Sequence, residues 1–122
     1  MKEVYAIIRP EKDRQTKIAL AKLGLAACTT LRVLGRGRQG GLQYNHQGNG
    51  KSSNLFSHGM KYLSKKLIYL VVDDDSLDLV VETLIRINQT GGYGDGKIFV
   101  CDVENAVRIR TGEESLAAIG QT

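Results

Sequence analysis

The chain has 122 residues, 42% of them hydrophobic and 25% charged, with 14 glycines against a single proline; this is the composition of one globular domain, with no room for a second. Its 17 Lys and Arg against 13 Asp and Glu leave a net charge of +4, which suits a phosphate ligand, a nucleic acid or an acidic partner without choosing among them. The longest apolar run, Leu67 to Val72, falls far short of the ~20 residues of a membrane helix, and the opening MKEVYAII carries no signal-peptide apolar region or cleavage site.

The expectation is therefore a soluble, cytoplasmic protein. A chain this short buries only about two-thirds of its unfolded surface, so oligomerisation is expected as well. Cys28 and Cys101 lie far apart, each in an apolar stretch. They form no metal or redox motif and are expected to be buried small hydrophobes.

A short strand is predicted over Val4 to Ile8, stopping at Arg9-Pro10 because proline fixes φ and lacks an N–H. Helix formers from Asp13 to Leu23 end at Gly24, a natural residue just past a helix C-terminus. Ala26 to Leu34 is rich in β-branched residues and reads as a second strand. From Gly35 to Gly59 the chain carries seven glycines with Gln, Asn and Ser and few aliphatics. Such a segment cannot bury enough apolar surface to fold alone, and it reads as a long loop.

Lys66 to Val72 restores a strand. Asp73-Asp74-Asp75 then offers negative charge to a helix N-terminus, with Asp75 or Ser76 as the expected cap. Leu77, Val80, Val81, Leu84 and Ile85 recur with helical spacing, the strongest periodicity in the chain. Thr90 to Gly96 is a glycine-rich turn, Lys97 to Val103 a fourth strand, and Arg108 to Arg110 a short extended tail. Two β-α-β units in tandem give an α+β, ferredoxin-like fold: a four-stranded antiparallel sheet with both helices on one face and a long loop between strands 2 and 3. The bare face then needs cover, and further subunits are expected to supply it.

Three segments carry anion chemistry. Gly35-Arg36-Gly37-Arg38-Gln39-Gly40 satisfies G-x-G-x-x-G, but a polar loop follows rather than a helix, and Leu55 to Met60 contains no carboxylate for a ribose. Two readings remain: an anion-binding turn with close backbone approach and two forked donors, or a solvated loop base. Gly91 to Lys97, GGYGDGK, begins like a phosphate-binding P-loop, yet Ile98 stands where a Mg²⁺-binding hydroxyl belongs; Gly50-Lys51-Ser52 ends like one, yet Asn45 replaces its first glycine. A glycine-dense turn ending in Lys97 can still wrap phosphates with its N–H groups. Read only as a tight connection, it would account for two of its glycines but hardly for four and an Asp. Val107-Arg108-Ile109-Arg110 alternates, so on an extended segment both guanidinium groups share a side. Two readings stand: a phosphate clamp, or edge-strand arginines that limit aggregation. His46 and His58 have no metal-pair spacing, and no acid/base pair or nucleophilic set presents itself.

Taken together, AIIRP, GRGRQGG, TGGYGDGKIFV and VRIRTGEE resemble the PII (GlnB/GlnK-like) signal-transduction family of nitrogen regulation, in order and over nearly the whole chain. The resemblance implies one domain over 1–122, with a long mobile loop (the T-loop) at about 36–62 and a C-terminal tail at about 104–122. It implies a sensor and not an enzyme: a homotrimer, or a hetero-oligomer with a PII paralogue, binding ATP or ADP and 2-oxoglutarate with Mg²⁺. By motif, Gly35, Gly37, Arg38, Gln39, Gly94, Asp95, Gly96 and Lys97 would surround the nucleotide. Arg108 and Arg110 would reach in from the neighbouring subunit, and Thr29 would meet the adenine. Gln39 would add an oxygen to Mg²⁺ beside the ATP phosphates and 2-oxoglutarate. Lys65, with Lys66 as the alternative, would pair with a carboxylate of 2-oxoglutarate, and Arg9 with its distal carboxylate.

The departures carry information too. Gly40 stands where the family commonly has Lys, the loop is longer than in enteric-type members, and neither Tyr44 nor Tyr62 sits in the family's modification context. The likeness is greatest to the nitrogenase-regulatory members of nitrogen-fixation clusters, the longer-loop type. That implies dinitrogenase as target, with an ammonium transporter or glutamine synthetase as alternatives. An RNA-binding ferredoxin-like module is the rival from another class; it is disfavoured on the expectation that the strands lack an exposed aromatic pattern for base stacking, so no nucleic acid and no membrane insertion are expected.

Overall fold

The computed structural model describes residues 1–37 and 62–120. Strand β1 (Lys2–Ile8) ends where Arg9 turns into a short 3-10 turn, Pro10–Lys12, that leads into helix α1 (Asp13–Lys22). Gly24 adopts φ +82° and its N–H donates to Ala21, while Leu25 N–H reaches back to the Leu20 carbonyl at 3.0 Å. This paired closure needs a left-handed residue and stops the helix there, as the glycine's position implied. Strand β2 (Thr29–Gly35) starts three residues later than expected, and β3 (Leu63–Val72) starts three earlier.

Ser76, one of the two expected caps, takes the N-cap position before the second helix but makes no side-chain capping bond; that bond comes from Asp73, one turn upstream. A 3-10 turn over Asp74–Ser76 precedes helix α2 (Leu77–Asn88), and the Asp73 carboxylate accepts from Ser76 N–H at 2.8 Å. The inserted turn moves the capping hydrogen bond, though not the N-cap residue, upstream of where periodicity places it. Helix α2 is also rotated relative to its hydrophobic stripe: Val80, Thr83, Leu84 and Asn88 are buried, whereas Ile85 is 45% exposed. The rotation brings Asn88 against α1, where its amide donates to the Thr16 hydroxyl at 3.1 Å.

Strand β4 (Lys97–Asp102) completes a sheet of order β2-β3-β1-β4, antiparallel throughout. This is the ferredoxin-like arrangement. Alternation assigns the faces. Val4, Ala6 and Ile8 of β1 and Ile68, Leu70 and Val72 of β3 meet Leu20, Val80 and Leu84 of the helices, and none of the nine is more than 3% exposed. Among the described residues nothing covers the opposite face. Leu31 is 56% and Phe99 48% exposed there, and Cys101, opposite Glu3, is exposed as well. The expectation of two buried cysteines fails for this reason: Cys101 lies on the open face of an edge strand, and Cys28 is only half-buried against the core.

The register also corrects the expectation about aromatics. Tyr5 pairs with Tyr69 on one side and Phe99 on the other, so three rings cross the open face in a row, with the two tyrosine centroids 4.9 Å apart. Tyr69 donates its hydroxyl proton to Glu3 at 3.0 Å. A carboxylate beside that row is the wrong sign for a nucleic-acid backbone. Burial, together with Glu3, raises the hydroxyl pKa of both tyrosines. The C-terminal segment ends in a short helix α3 (Leu116–Ile119) that sequence periodicity did not indicate.

Candidate functional site

Where β2 ends and where β3 and β4 begin, the fold leaves a cavity of about 530 Å³. The ladders set its position, because Gly35 pairs with Leu63 and Ile7 with Lys97. Of the residues singled out by sequence, Gly35, Gly37, Lys65, Gly94, Gly96 and Lys97 line it, joined by Arg36, Tyr93 and Phe99. Among the described residues, three cations, Arg36, Lys65 and Lys97, face the cavity and no carboxylate does. That lining fits an anion. Lys65 is the least expected of them, since it is only 9% exposed. Its Nζ donates to the Gly94 carbonyl at 2.7 Å, and burial first, then the nearby Arg9 charge, holds its amine below the usual lysine range.

The glycine-rich turn is organised from within. Asp95 accepts from the Thr90 N–H at 2.7 Å, the Thr90 hydroxyl at 2.5 Å and the Gly91 N–H at 2.9 Å. Arg9 adds its Nε at 3.3 Å, and its Nη2 donates to the Tyr93 carbonyl at 3.0 Å. The Thr90 hydroxyl and amide, with Gly91 and Arg9, draw the Asp95 carboxyl down to about 2. Gly96 has φ +106°, and a Cβ there would lie 1.7 Å from the Ile7 carbonyl oxygen. Only glycine lets β4 start so close to β1. Gly91 and Gly94 also take positive φ, at +87° and +103°. The tight-connection reading thus accounts for three of the four glycines and for the Asp, more than the sequence suggested.

Residues 1–113 match the family model described as "Nitrogen regulatory protein P-II". The chain belongs to the P-II family. Among relatives of this P-II protein, the "Nitrogen fixation nifHD region glnB-like protein 2" of Methanococcus maripaludis is 44% identical over 98% of this chain and 100% of its own length. The corresponding nifHD1-region protein of Methanosarcina barkeri is 44% identical over 98% and 99%. A "Nitrogen regulatory protein P-II" of Nostoc punctiforme is 41% identical over 98% and 100%. Among solved structures, Arabidopsis thaliana PII bound to citrate superposes with a TM-score of 0.76 at 31% identity, covering 99% of this chain and 91% of that one.

In this P-II chain not every residue singled out by motif meets at the cavity. Thr29 lies on β2, two strands from β1, and pairs with Tyr69. The alternation read into residues 107–110 does not hold: Val107 bridges to Glu114 and the chain turns over 109–111. Arg108 consequently folds back on its own segment, donating to Glu113 at 2.6 Å and to the Gly120 carbonyl at 3.2 Å, while Arg110 is exposed in the turn. Lys66 points to the helix face, 4.0 Å from Asp13, so of this pair it is Lys65 that reaches the cavity. Arg38 and Gln39 lie outside the described residues. Among the described residues no cluster of His, Cys, Asp or Glu could hold a metal ion.

Sequence reasoning did not find the Arg9–Asp95 pair, and it offered Arg36 only as one of two general anion donors, not among the site residues it named. The pair spans most of the chain and needs the ladder register. Arg36 had a signal, since it stands inside the glycine motif.

Proposed function

We propose that this P-II protein senses ATP or ADP together with 2-oxoglutarate and relays their levels to nitrogenase through the segment 36–62, by binding dinitrogenase. The observation that carries this reading is the cavity lined, among the described residues, by three cations and no carboxylate. The P-II family membership and the nifHD-region names of several relatives support the nitrogen-fixation setting. A relative bound to citrate is consistent with a polycarboxylate as effector.

In the proposed site, Lys97 and the N–H groups of the glycine-rich turn hold phosphate oxygens, with Gly35 and Gly37 allowing close approach and Arg38 and Gln39 joining them. Asp95 and Arg9 hold the turn in shape, and Lys65 pairs with a carboxylate of 2-oxoglutarate. Thr29, Arg108 and Arg110 complete the site from the strand edge and from a neighbouring copy. The copies form a trimer, of one chain or with a paralogue, across the open sheet face. Gln39 would help hold Mg²⁺ when it is bound with ATP, and the ion would supply positive charge to the anionic ligands. No bond is made or broken. Effector binding selects among conformations of 36–62 according to its differential affinity for them. Among the described residues no helix is long and apolar enough to cross a membrane, and a cytoplasmic regulator is proposed.

Calorimetry tests the sensing: 2-oxoglutarate should bind in the presence of Mg-ATP and not in its absence, and binding independent of ATP contradicts the shared site. Pull-down against dinitrogenase tests the target. Capture that 2-oxoglutarate releases supports it; capture of an ammonium transporter or glutamine synthetase instead replaces nitrogenase with that target.

A further inference from the structure

The β2–β3 ladder ends at the pair Gly35 and Leu63. One step further the same register sets Arg36 opposite Tyr62, and the Arg36 guanidinium carbon lies 5.8 Å from the Tyr62 ring centroid, within cation–π range. These two residues flank the segment 38–61 at its two ends. Arg36 also lines the cavity, beside Lys65 and Lys97. One side chain therefore touches both the anion site and the partner strand at the neck of the segment.

We propose that Arg36 is an anion-contacting residue of this cavity, and that it exchanges the Tyr62 ring for negatively charged ligand oxygens when the cavity is filled. The inference rests on the function proposed above and adds to it the residue through which occupancy is felt at the neck. The exchange has a clear direction. A cation over a ring that is 58% exposed makes a weak contact, because water screens it. A guanidinium on phosphate or carboxylate makes paired, charge-assisted hydrogen bonds, about twice as strong as neutral ones. Three cations line one cavity, so an anion bound there is attracted by all of them. Phosphate and carboxylate offer the same oxygen chemistry, so either source can draw Arg36 inward.

The test is a double-mutant cycle on the full chain, read by calorimetry with Mg-ATP alone and with 2-oxoglutarate in saturating Mg-ATP. Arg36→Gln should weaken binding about tenfold, the loss of a charged contact. Tyr62→Ala should tighten it about two- to fivefold, because the competing contact of the free protein is gone. The two effects should not add: with Arg36→Gln present, Tyr62→Ala should change nothing. An effect in the Mg-ATP arm makes phosphate the group that takes Arg36, and an effect confined to the second arm makes it the carboxylate. The chain has no Trp, so Tyr62→Trp adds a single reporter ring whose emission should shift on ligand binding and stay fixed when Arg36→Gln is added. Unchanged affinity in Arg36→Gln, or weaker binding in Tyr62→Ala, overturns the inference and leaves the sensing function standing. Absence of binding in the unaltered protein overturns both.

Discussion

The two faces of the sheet are made from the same four strands and come out differently. On the helix side, Val4, Ala6, Ile68 and Leu70 are sealed under α1 and α2, at 2% exposure or less. On the other side, Tyr5, Tyr69 and Phe99 form an aromatic row next to Leu31, and Phe99 and Leu31 are about half exposed. Alternation along each strand generates both faces, so the difference lies in what covers them. Helices of the same chain finish one face. The other is an apolar surface of the kind that marks an interaction site, and the anion cavity opens at its end, lined in part by Phe99.

Substitutions can break this contrast or sharpen it. The largest effect is expected from Gly96→Ala, which drives a methyl group into the Ile7 carbonyl and imposes a positive φ on a residue that resists it. β4 would have to leave β1, damaging both faces, and denaturant unfolding should register a loss of about 4 kcal/mol or failure to fold. Leu84→Ala, at a helix-face position only 1% exposed, should cost about 3 kcal/mol by leaving a cavity. Leu31→Ala on the open face should cost a lone chain under about 0.5 kcal/mol, so any stability it does lose should depend on protein concentration. Equal losses at Leu84 and Leu31 in dilute protein would erase the distinction between the faces.

Asp95 gives a smaller and pH-dependent effect. Its carboxyl sits near 2 in the folded chain, against an ordinary value of 3.8. A carboxylate whose folded pKa is depressed adds stability that is fully present above the unfolded value and is lost as pH falls through the folded one. Asp95→Asn should therefore destabilise by about 2 kcal/mol at pH 7, with the gap to the unaltered protein closing between pH 4 and pH 2. A gap as large at pH 2 as at pH 7 would mean that the carboxylate's charge is not what holds the turn. The smallest stability effect is expected at Lys65, whose burial disfavours its own charge. Lys65→Met should leave Tm unchanged or slightly higher while 2-oxoglutarate binding falls at least about tenfold. A marked loss of Tm would make Lys65 a structural prop through its bond to Gly94.

The fold was legible because its signals are local: Gly24 closing α1, Pro10 ending β1, and the helical spacing through Leu84. The row of Tyr5, Tyr69 and Phe99 was not, because cross-strand neighbours depend on register, and a shift of one residue exchanges the faces. The cation chemistry of the site was visible in Lys65, Lys97 and the glycine segments. The roles within it were not. Asp95 resembles a ligand in sequence but spends both oxygens on its own turn, and the alternation of Arg108 and Arg110 resembles a strand where the chain in fact forms a turn held by Glu113. In both cases a charged residue's partner lies in the loop geometry rather than in the spacing.

On the proposed function, further copies close the open face and the anion site is completed there. Native mass spectrometry of the chain with Mg-ATP, beside Leu31→Glu, tests it directly. The expected result is an assembly of three times the 13.4 kDa chain mass carrying up to one nucleotide per chain, with Leu31→Glu reduced in both assembly and nucleotide. A single chain that binds nucleotide as well as the unaltered protein does would contradict it.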